Sequence, residues 1–457
     1  MTFTPPSFPT FLVGKIHTEF TGKVFIYWLG TEPFLYIAEP ELVKKMSTHV
    51  MAKCWGKPNV FKDDRYPMFG TGLVMAEGHH WVRHRHLIAP AFSPLNLKSV
   101  ASRMVDCANE MIMRWSTQIN NSAAAAAGGN GVIIDVEKEI IETSGEIIAK
   151  TCFGGTQDED AKQVLQKLRA LQTALFKSTR YVGVPFGRFF NVKKTLEANK
   201  LGAEIDRLLF SVIRARKESK NDDGIDLLGL LMNGGGGGGG GGVGNDVLTE
   251  REVVDECKTF FFGGHETTAL AITWTLMLLA LHPHWQIQLR HEIFQLLPHH
   301  NNNPFLHINL LSRLKKMQWV MNEALRLYPP APNVQRQARE DIQIEGLMVP
   351  KGTNMWIDVV AMHHDKELWG EDANEFKPER FMEDVNGGCK HKMGYLPFGF
   401  GGRMCVGRNL TFMEYKIVLT LVLSKFSFKL STSYHHSPSI MLSLRPSHGL
   451  PLVVQPL

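Results

Sequence analysis

The sequence lacks several patterns that would place it in a common protein class. Its six cysteines form no CxxC pair, which argues against a disulfide framework or a structural zinc site and fits a reducing compartment. No apolar run approaches the ~20 residues that span a bilayer. The stretch 1–20 has neither the basic start nor the apolar core of a signal peptide. The net charge of +5 over 457 residues calls for no nucleic-acid partner.

A run of glycines at 234–242 is a linker-like, low-complexity insertion. A phosphate-binding loop would end in Lys followed by Ser or Thr, and this run does not, so that function is excluded. No internal repeat is found. The hydrophobic content of 44% is typical of a globular protein with a sizeable core, and the length allows one large domain or two to three smaller ones.

The hydrophobic periodicity predicts an α-dominated chain with a minor sheet. Thr249 and Glu252 have the spacing of a capping box. The helical pattern that begins there continues to Pro283, which gives a central helix of about 50 Å. A hairpin is predicted at 24–29 and 34–38. Further helices are predicted at 41–46, 80–90, 95–118, 132–151, 158–177, 193–220, 284–297 and 311–328, strands at 342–349, 355–360 and 441–454, irregular structure at 55–77 and a flexible connection at 122–131.

A glycine-rich turn near the C-terminal end, with the sequence FGFGGRMCVG at 398–407, carries one cysteine. Its glycines let the backbone double back around Cys405, because glycine adopts positive φ without steric cost. Arg403 and a helical stretch that follows favour the thiolate, and a thiolate binds metal. The alternative is a buried cysteine in a turn, since free cysteine is among the most buried residue types.

Inside the long predicted helix, two adjacent glycines precede an acid and two alcohols, in FGGHETT at 262–268. Gly263 and Gly264 each cost the helix about 1 kcal/mol relative to alanine, so a compensating contact is expected. A flat cofactor lying against the helix would supply it. Thr267 can bond back to the preceding turn and open a slot for water, and Glu266 can relay protons. The alternative is a helix crossing at small residues.

Four histidines lie close together at the start of a predicted helix: His79, His80, His84 and His86. Such a cluster suggests a metal site. No carboxylate partner pattern accompanies it in the sequence. We therefore interpret these histidines as solvated.

Together with WVRHR at 81–85, EALR at 323–326 and FKPERF at 376–381, these motifs resemble the signatures of the cytochrome P-450 superfamily, the haem-thiolate monooxygenases, in that family's order and approximate separations. The resemblance implies a mainly α fold with a minor β region and a long central helix over the haem. It implies one catalytic domain over 1–457, in which 234–242 is a surface insertion. The stretches 73–78 and 89–93 look most like plant members of the cytokinin hydroxylase branch.

The resemblance also implies roles for individual residues. Cys405 would be the axial ligand of the haem iron, with Phe398 packed beside it, and Glu266 and Thr267 would serve oxygen activation. Without the family, the charged motifs would be read as a solvated ion pair, a core tryptophan and surface arginines. The further haem contacts that the resemblance implies are Trp81, Arg85, Gly263, Gly264, Arg336, Arg403 and Gly407. It also implies a buried charge triad of Glu323, Arg326 and Arg380. Position in the chain suggests substrate contacts at Met68, Phe69, Phe261, Val334 and His448.

The implied activity is insertion of one oxygen atom from dioxygen into an apolar small molecule of hormone, terpenoid or fatty-acid type. An NADPH-dependent flavoprotein reductase would supply the electrons. Plant members normally begin with a membrane-anchoring helix, and this sequence starts near the first helix of the catalytic fold. We therefore expect a truncated form of a protein on the cytosolic face of the endoplasmic reticulum membrane.

Two other functions stay open. A haem-thiolate isomerase or dehydratase would keep Cys405 but typically lacks the acid and alcohol found at Glu266 and Thr267. A haem carrier or sensor would need no proton relay. Consumption of NADPH and oxygen in the presence of reductase separates such a carrier or sensor from the enzyme.

Overall fold

The computed structural model describes residues 22–50, 54–122, 131–153, 158–176, 192–218, 227–232, 247–296, 308–344 and 346–457. The glycine insertion at 234–242, the first 21 residues and most of the 122–131 connection lie outside these ranges. The helices are α1 (Pro40–Val50), α2 (Lys62–Phe69), α3 (Gly78–Ile88), α4 (Pro94–Asn120), α5 (Val136–Phe153), α6 (Asp158–Phe176), α7 (Val192–Glu218), α8 (Leu227–Met232), α9 (Glu250–Leu281), α10 (Pro283–Leu296), α11 (Lys315–Leu327), α12 (Val359–His363), α13 (Lys366–Trp369) and α14 (Arg408–Lys425).

The strands are β1 (Val24–Leu29), β2 (Glu32–Ile37), β3 (Trp55–Gly56), β4 (Val132–Asp135), β5 (Asn333–Ala338), β6 (Ile342–Ile344), β7 (Leu347–Val349), β8 (Asn354–Asp358), β9 (Phe426–Leu430), β10 (Pro438–Met441), β11 (Ser443–Pro446) and β12 (Pro451–Pro456). The prediction of a mainly α fold with a minor β region is confirmed.

Helix α9 forms the centre of the helical layer. Its N-terminus is fixed by the predicted capping box: the Thr249 hydroxyl accepts from the Glu252 N–H, and the Glu252 carboxylate accepts from the Thr249 N–H at 2.8 Å. Most of the helix is apolar on every side, and such a helix is buried on every side. Trp274, for example, has no exposed surface. The helix contacts α5, α11 and α14. The predicted central helix is therefore confirmed.

The β component forms two small sheets and two hairpins. The larger sheet has the order β1-β2-β8-β5-β3, with β2 and β8 parallel and the other pairs antiparallel. The hairpin β1–β2 confirms the prediction for the N-terminal strands. A second sheet has the order β4-β12-β9, and β6–β7 and β10–β11 pair as hairpins. One hydrophobic core surrounds α9, and another lies against the larger sheet.

Three local predictions were wrong. The stretch 55–77 holds β3 and α2 rather than irregular structure, and Pro67 inside α2 hid the helical pattern. Residues 132–135 form β4 instead of the first turn of a helix, because their β-branched side chains pair with β12. The single strand predicted at 342–349 is the hairpin β6–β7, which turns at Gly346 with φ +83°.

Within the described ranges, no helix is both long enough and apolar enough to cross a bilayer.

Candidate active site

The loop that carries Cys405 is closed by a bond of the cysteine's own backbone. The Cys405 N–H donates to the Phe398 carbonyl oxygen at 2.9 Å. Gly399 and Gly401 take φ +73° and +62°, which side chains with a Cβ rarely adopt. Phe398 packs against Phe412 of α14, with ring centroids 5.3 Å apart. The loop is therefore tied to the helix that follows it.

We call the surroundings of the exposed Cys405 thiol the cleft. The Cys405 side chain is exposed, yet protein groups surround it closely enough that burial raises its pKa. The backbone N–H of Gly407 lowers the pKa of the thiol, as do the positive charges of Arg85 and Arg408. An amide donor and two cations favour a thiolate. These neighbours suit a cysteine that binds a metal as the thiolate.

The two adjacent glycines of α9 face different surroundings. A Cβ at Gly263 would meet no described atom within 4 Å, whereas a Cβ at Gly264 would lie 2.6 Å from Cδ1 of Ile148 on α5. Gly263 therefore leaves one face of α9 open to a flat group. Gly264 serves the close packing of α9 against α5, and its predicted contact with the cofactor stays a prediction.

The Thr267 hydroxyl donates to the Gly263 carbonyl oxygen at 2.6 Å, a bond back to the preceding turn of the kind that the sequence suggested. Residues four apart lie on the same helix face, so Thr267 is on the open side with Gly263. Thr268 is buried and faces Thr411 of α14, with the two hydroxyl oxygens 3.2 Å apart. Of the two threonines, only Thr267 borders the open face.

Glu266 points away from that face, toward α6 and the hairpin β10–β11. Gln172 donates its side-chain N–H groups to the carboxylate, with Nε2 2.8 and 2.9 Å from the two oxygens, and Arg445 Nη1 lies 3.9 Å away. Burial raises the pKa of Glu266, while Gln172 and Arg445 oppose that rise. Sequence reasoning missed both partners, because Gln172 and Arg445 are remote in the chain and belong to no motif.

Buried cations gather around Arg336 with too few anions to balance them. Arg336 is 5% exposed, and its Nε has no hydrogen-bond partner among the residues that the structure describes. Burial and the charge of Arg403 lower the pKa of Arg336 to about 9, and burial lowers that of Arg403 to about 10. Lys57, missed in the sequence, has a lowered pKa because of burial and both arginines. Such a cluster calls for buried anions.

The carboxylates of a haem meet this requirement. Trp81 lies under Arg403, with the guanidinium carbon 4.7 Å from the ring centroid, and Arg403 also donates to the Ala76 carbonyl oxygen at 2.9 Å. Arg85 lies close enough to Cys405 to affect the pKa of its thiol. The residues around the cleft therefore fit a flat, dianionic group bound through sulfur.

The predicted charge triad is assembled in the fold. Arg326 donates to both oxygens of Glu323 at 2.6 and 2.7 Å, and neither side chain is exposed. Arg380 Nε lies 3.5 Å from Glu323. Arg326 also donates to the carbonyl oxygen of His363 at 2.9 Å. With these bonds, the buried charges are paired and hydrogen-bonded.

The structure places the five predicted substrate contacts in different surroundings. Met68 and Phe261 have no exposed surface and pack in the hydrophobic core. Phe69 is buried edge-on against Phe262, with ring centroids 5.2 Å apart, and His448 is exposed beside His435. Val334 is half-buried and shares a strand face with Arg336, two residues on. Of the five predicted substrate contacts, Val334 is the one that shares a strand face with a predicted haem contact.

The interpretation of the histidines as solvated is wrong for His84. Its ring is fully buried, with Nδ1 2.5 Å from Glu256 and Nε2 3.3 Å from Glu252. Both carboxylates come from α9, far along the chain, which is why no partner pattern was visible beside the histidines.

Comparisons with known proteins cover nearly the whole chain. A family model described as Cytochrome P450 matches residues 10–450. Two Arabidopsis thaliana proteins named cytokinin hydroxylase are 39% and 37% identical over 444 residues, which is 95% of this chain and 81% and 82% of theirs. The crystal structure of the cytochrome P450DA heme domain has a TM-score of 0.80 at 23% identity, and the match covers 95% of this chain and 90% of that one.

Proposed function

Because this chain belongs to the cytochrome P450 family and is a haem-thiolate monooxygenase, we propose that Cys405 is the residue that ligates the haem iron. The observation that carries this proposal is the surrounding of the sulfur: a loop closed onto Phe398, an exposed thiol, and the Gly407 backbone and two arginines that oppose the rise in its pKa. The bound haem supplies reductive activation of dioxygen, which electron donation from the thiolate favours.

The side chains that hold the haem follow from the charges around the cleft. Arg336 and Arg403 bind its carboxylates, and Trp81 and Arg85 complete that end of the site. Phe398 packs beside the cysteine loop, and Gly263 leaves α9 open to the ring. The triad of Glu323, Arg326 and Arg380 is connected through His363 to Leu396, which precedes the loop.

Protons reach the open face through Thr267 and Glu266. The Thr267 hydroxyl is held on that face by its bond to Gly263, where it can orient a water molecule. Glu266 is a buried acid with a raised pKa, so it keeps its proton to a higher pH than an exposed carboxylic acid does. Since its carboxylate faces Gln172, transfer to Thr267 requires intervening water or rotation of the Glu266 side chain.

The substrate is an apolar small molecule, and cytokinins are the first class to test because two of the most similar relatives are named cytokinin hydroxylase. Electrons come from an NADPH-dependent flavoprotein reductase. We place the protein on the cytosolic face of the endoplasmic reticulum membrane and treat residues 1–457 as one catalytic domain.

The carbon monoxide difference spectrum of the reduced, haem-loaded protein tests the thiolate ligand. A strongly red-shifted Soret band is expected in the parent protein and in Cys389→Ser, which alters another cysteine, and its loss is expected in Cys405→Ser. An unshifted band in the parent protein would contradict the ligand assignment. Substrate-dependent consumption of NADPH and oxygen with a plant reductase then tests cytokinins against terpenoids and fatty acids.

A further inference from the structure

A second cluster of potential metal ligands lies between α3 and α9, apart from the cysteine loop. His80 and His84 are four residues apart on α3 and so share a face. Glu252 on the first turn of α9 approaches both. One ligand atom from each of the three residues lies within 4.8 Å of the others. Two imidazoles and one carboxylate are a ligand set that zinc takes in proteins.

The distances at His84 match those of a metal site. Its Nε2 lies 3.3 Å from Glu252 Oε1, close to the ~3.3 Å that separates two ligands in a tetrahedral zinc site with bonds of about 2.0 Å. The Nδ1 of the same ring donates to Glu256 at 2.5 Å. That bond leaves the lone pair of Nε2 facing a carboxylate oxygen, an arrangement that needs a cation or a proton between them.

Both imidazoles have the second contact that metal-bound histidines need. His84 donates through Nδ1 to Glu256, and His80 Nε2 lies 3.3 Å from the Thr71 carbonyl oxygen. Donation of the non-ligating N–H to a carboxylate or carbonyl fixes the tautomer and the orientation of the ring. With these bonds, His84 presents Nε2 and His80 presents Nδ1 to Glu252.

We propose that His80, His84 and Glu252 bind one divalent transition-metal ion of the zinc class, with water in the fourth position. Imidazole nitrogen favours zinc and its neighbours over calcium or magnesium. The ion would join α3, which carries Trp81 and Arg85, to α9, which carries Gly263 and Thr267. It would thereby hold together two helices that border the haem cleft, without contacting the haem itself.

One neighbour competes with the metal. Arg83 donates through Nη1 to Glu252 Oε1 at 2.7 Å, and Thr249 bonds to the other oxygen of that carboxylate. A guanidinium on the ligating oxygen lowers the affinity of the site for a dication. The arginine therefore gives the site a second, opposite test, because its removal should strengthen binding rather than weaken it.

Zinc titration of the haem-loaded full chain tests the proposal, after the protein has been stripped of metal with a chelator. Isothermal titration calorimetry should show one zinc per protein. Affinity should fall by about 100-fold in His80→Gln and rise by about tenfold in Arg83→Gln. His86→Gln is the matched control, because His86 is an exposed histidine on the same helix outside the cluster. Haem content and thermal unfolding verify that each variant is folded.

Crystals grown with zinc locate the ion directly. An anomalous peak at the zinc edge is expected between the three side chains. Equal zinc affinity in the parent protein and His80→Gln, or a peak elsewhere, would overturn the site. Absence of zinc binding by the parent protein would also overturn it and assign the cluster to a protonated His84 between two carboxylates. These readouts need no turnover, so they are independent of the proposed oxidation chemistry.

Discussion

His363 accepts the backbone N–H of Leu396 through Nε2 at 2.8 Å. This bond connects the buried ion pair of Glu323 and Arg326 to the segment that leads into the Cys405 loop. The other ring nitrogen, Nδ1, donates to the Arg326 carbonyl oxygen at 3.0 Å. The ring must therefore be neutral, because a second proton would point at the Leu396 N–H. Burial lowers the pKa of His363 to about 3.

This neutral histidine makes stability depend on pH. In the unfolded chain a histidine has a pKa of about 6.5, so on acidification the unfolded state binds the proton first. The contribution of neutral His363 to the free energy of unfolding is complete above pH 6.5 and is lost as pH falls toward the pKa of the folded state. We expect the slope of unfolding free energy against pH, between 6.5 and 4, to be lower by about 1.4 kcal/mol per pH unit in His363→Gln. Urea unfolding measures the slope; an unchanged slope, equal to that of the surface control His86→Gln, would contradict the assignment.

Removal of one charge from the triad should cost more than removal of a surface charge. Glu323→Gln leaves Arg326 buried without its carboxylate, and Arg380 keeps only its ion pair with Asp372. We therefore expect a loss of about 3–5 kcal/mol of unfolding free energy and weaker haem retention. Glu371→Gln is the matched control, since Glu371 pairs with Lys366 at the surface and should cost less than about 1 kcal/mol. Urea unfolding and haem content measure both; equal losses would show that the triad is not a buried charge network.

The two glycines of α9 should respond differently to alanine. Gly263→Ala meets no described atom, so it should stabilise the haem-free protein by about 1 kcal/mol through helix propensity while weakening haem binding. Gly264→Ala collides with Ile148 and should destabilise the protein by about 1–3 kcal/mol without a specific effect on haem. Unfolding of the haem-free form and haem titration separate the two effects.

A second substitution tests whether the contact with Ile148 causes the destabilisation by Gly264→Ala. Gly264→Ala combined with Ile148→Ala should cost less stability than the sum of the two single losses, because the shortened side chain makes room for the new Cβ. If the double variant is no more stable than the sum of the single changes predicts, the contact with α5 is not the cause.

The sequence predicted features that depend on neighbours along the chain. The capping box at Thr249 and Glu252 is local, so its spacing was sufficient to place the start of α9. The mainly α fold followed from periodicity together with the family resemblance. The order of the motifs led to the haem family.

Features made by distant residues could not be read in this way. His363 connects the triad to the cysteine loop through a backbone N–H, and a backbone partner leaves no pattern in a sequence. The carboxylate partners of His84 lie on another helix, so the cluster resembled solvated histidines. Met68 and Phe261 are apolar residues near motifs, and only the packing shows that they belong to the core.

Gln172 should set the pH range over which Glu266 supplies protons. Its side-chain N–H groups bond to the ionised carboxylate and so oppose the rise in pKa caused by burial. Gln172→Met keeps the approximate shape and removes the donor, so the pKa of Glu266 should rise further. An acid that donates its proton loses activity as pH rises through its pKa, and the alkaline limb of the kcat profile should therefore move to higher pH. Gln318→Met, which removes a half-buried glutamine that bonds to Asn322, should leave the limb in place. A limb that stays fixed in Gln172→Met, or moves to lower pH, would show that Glu266 is not the proton donor that limits turnover.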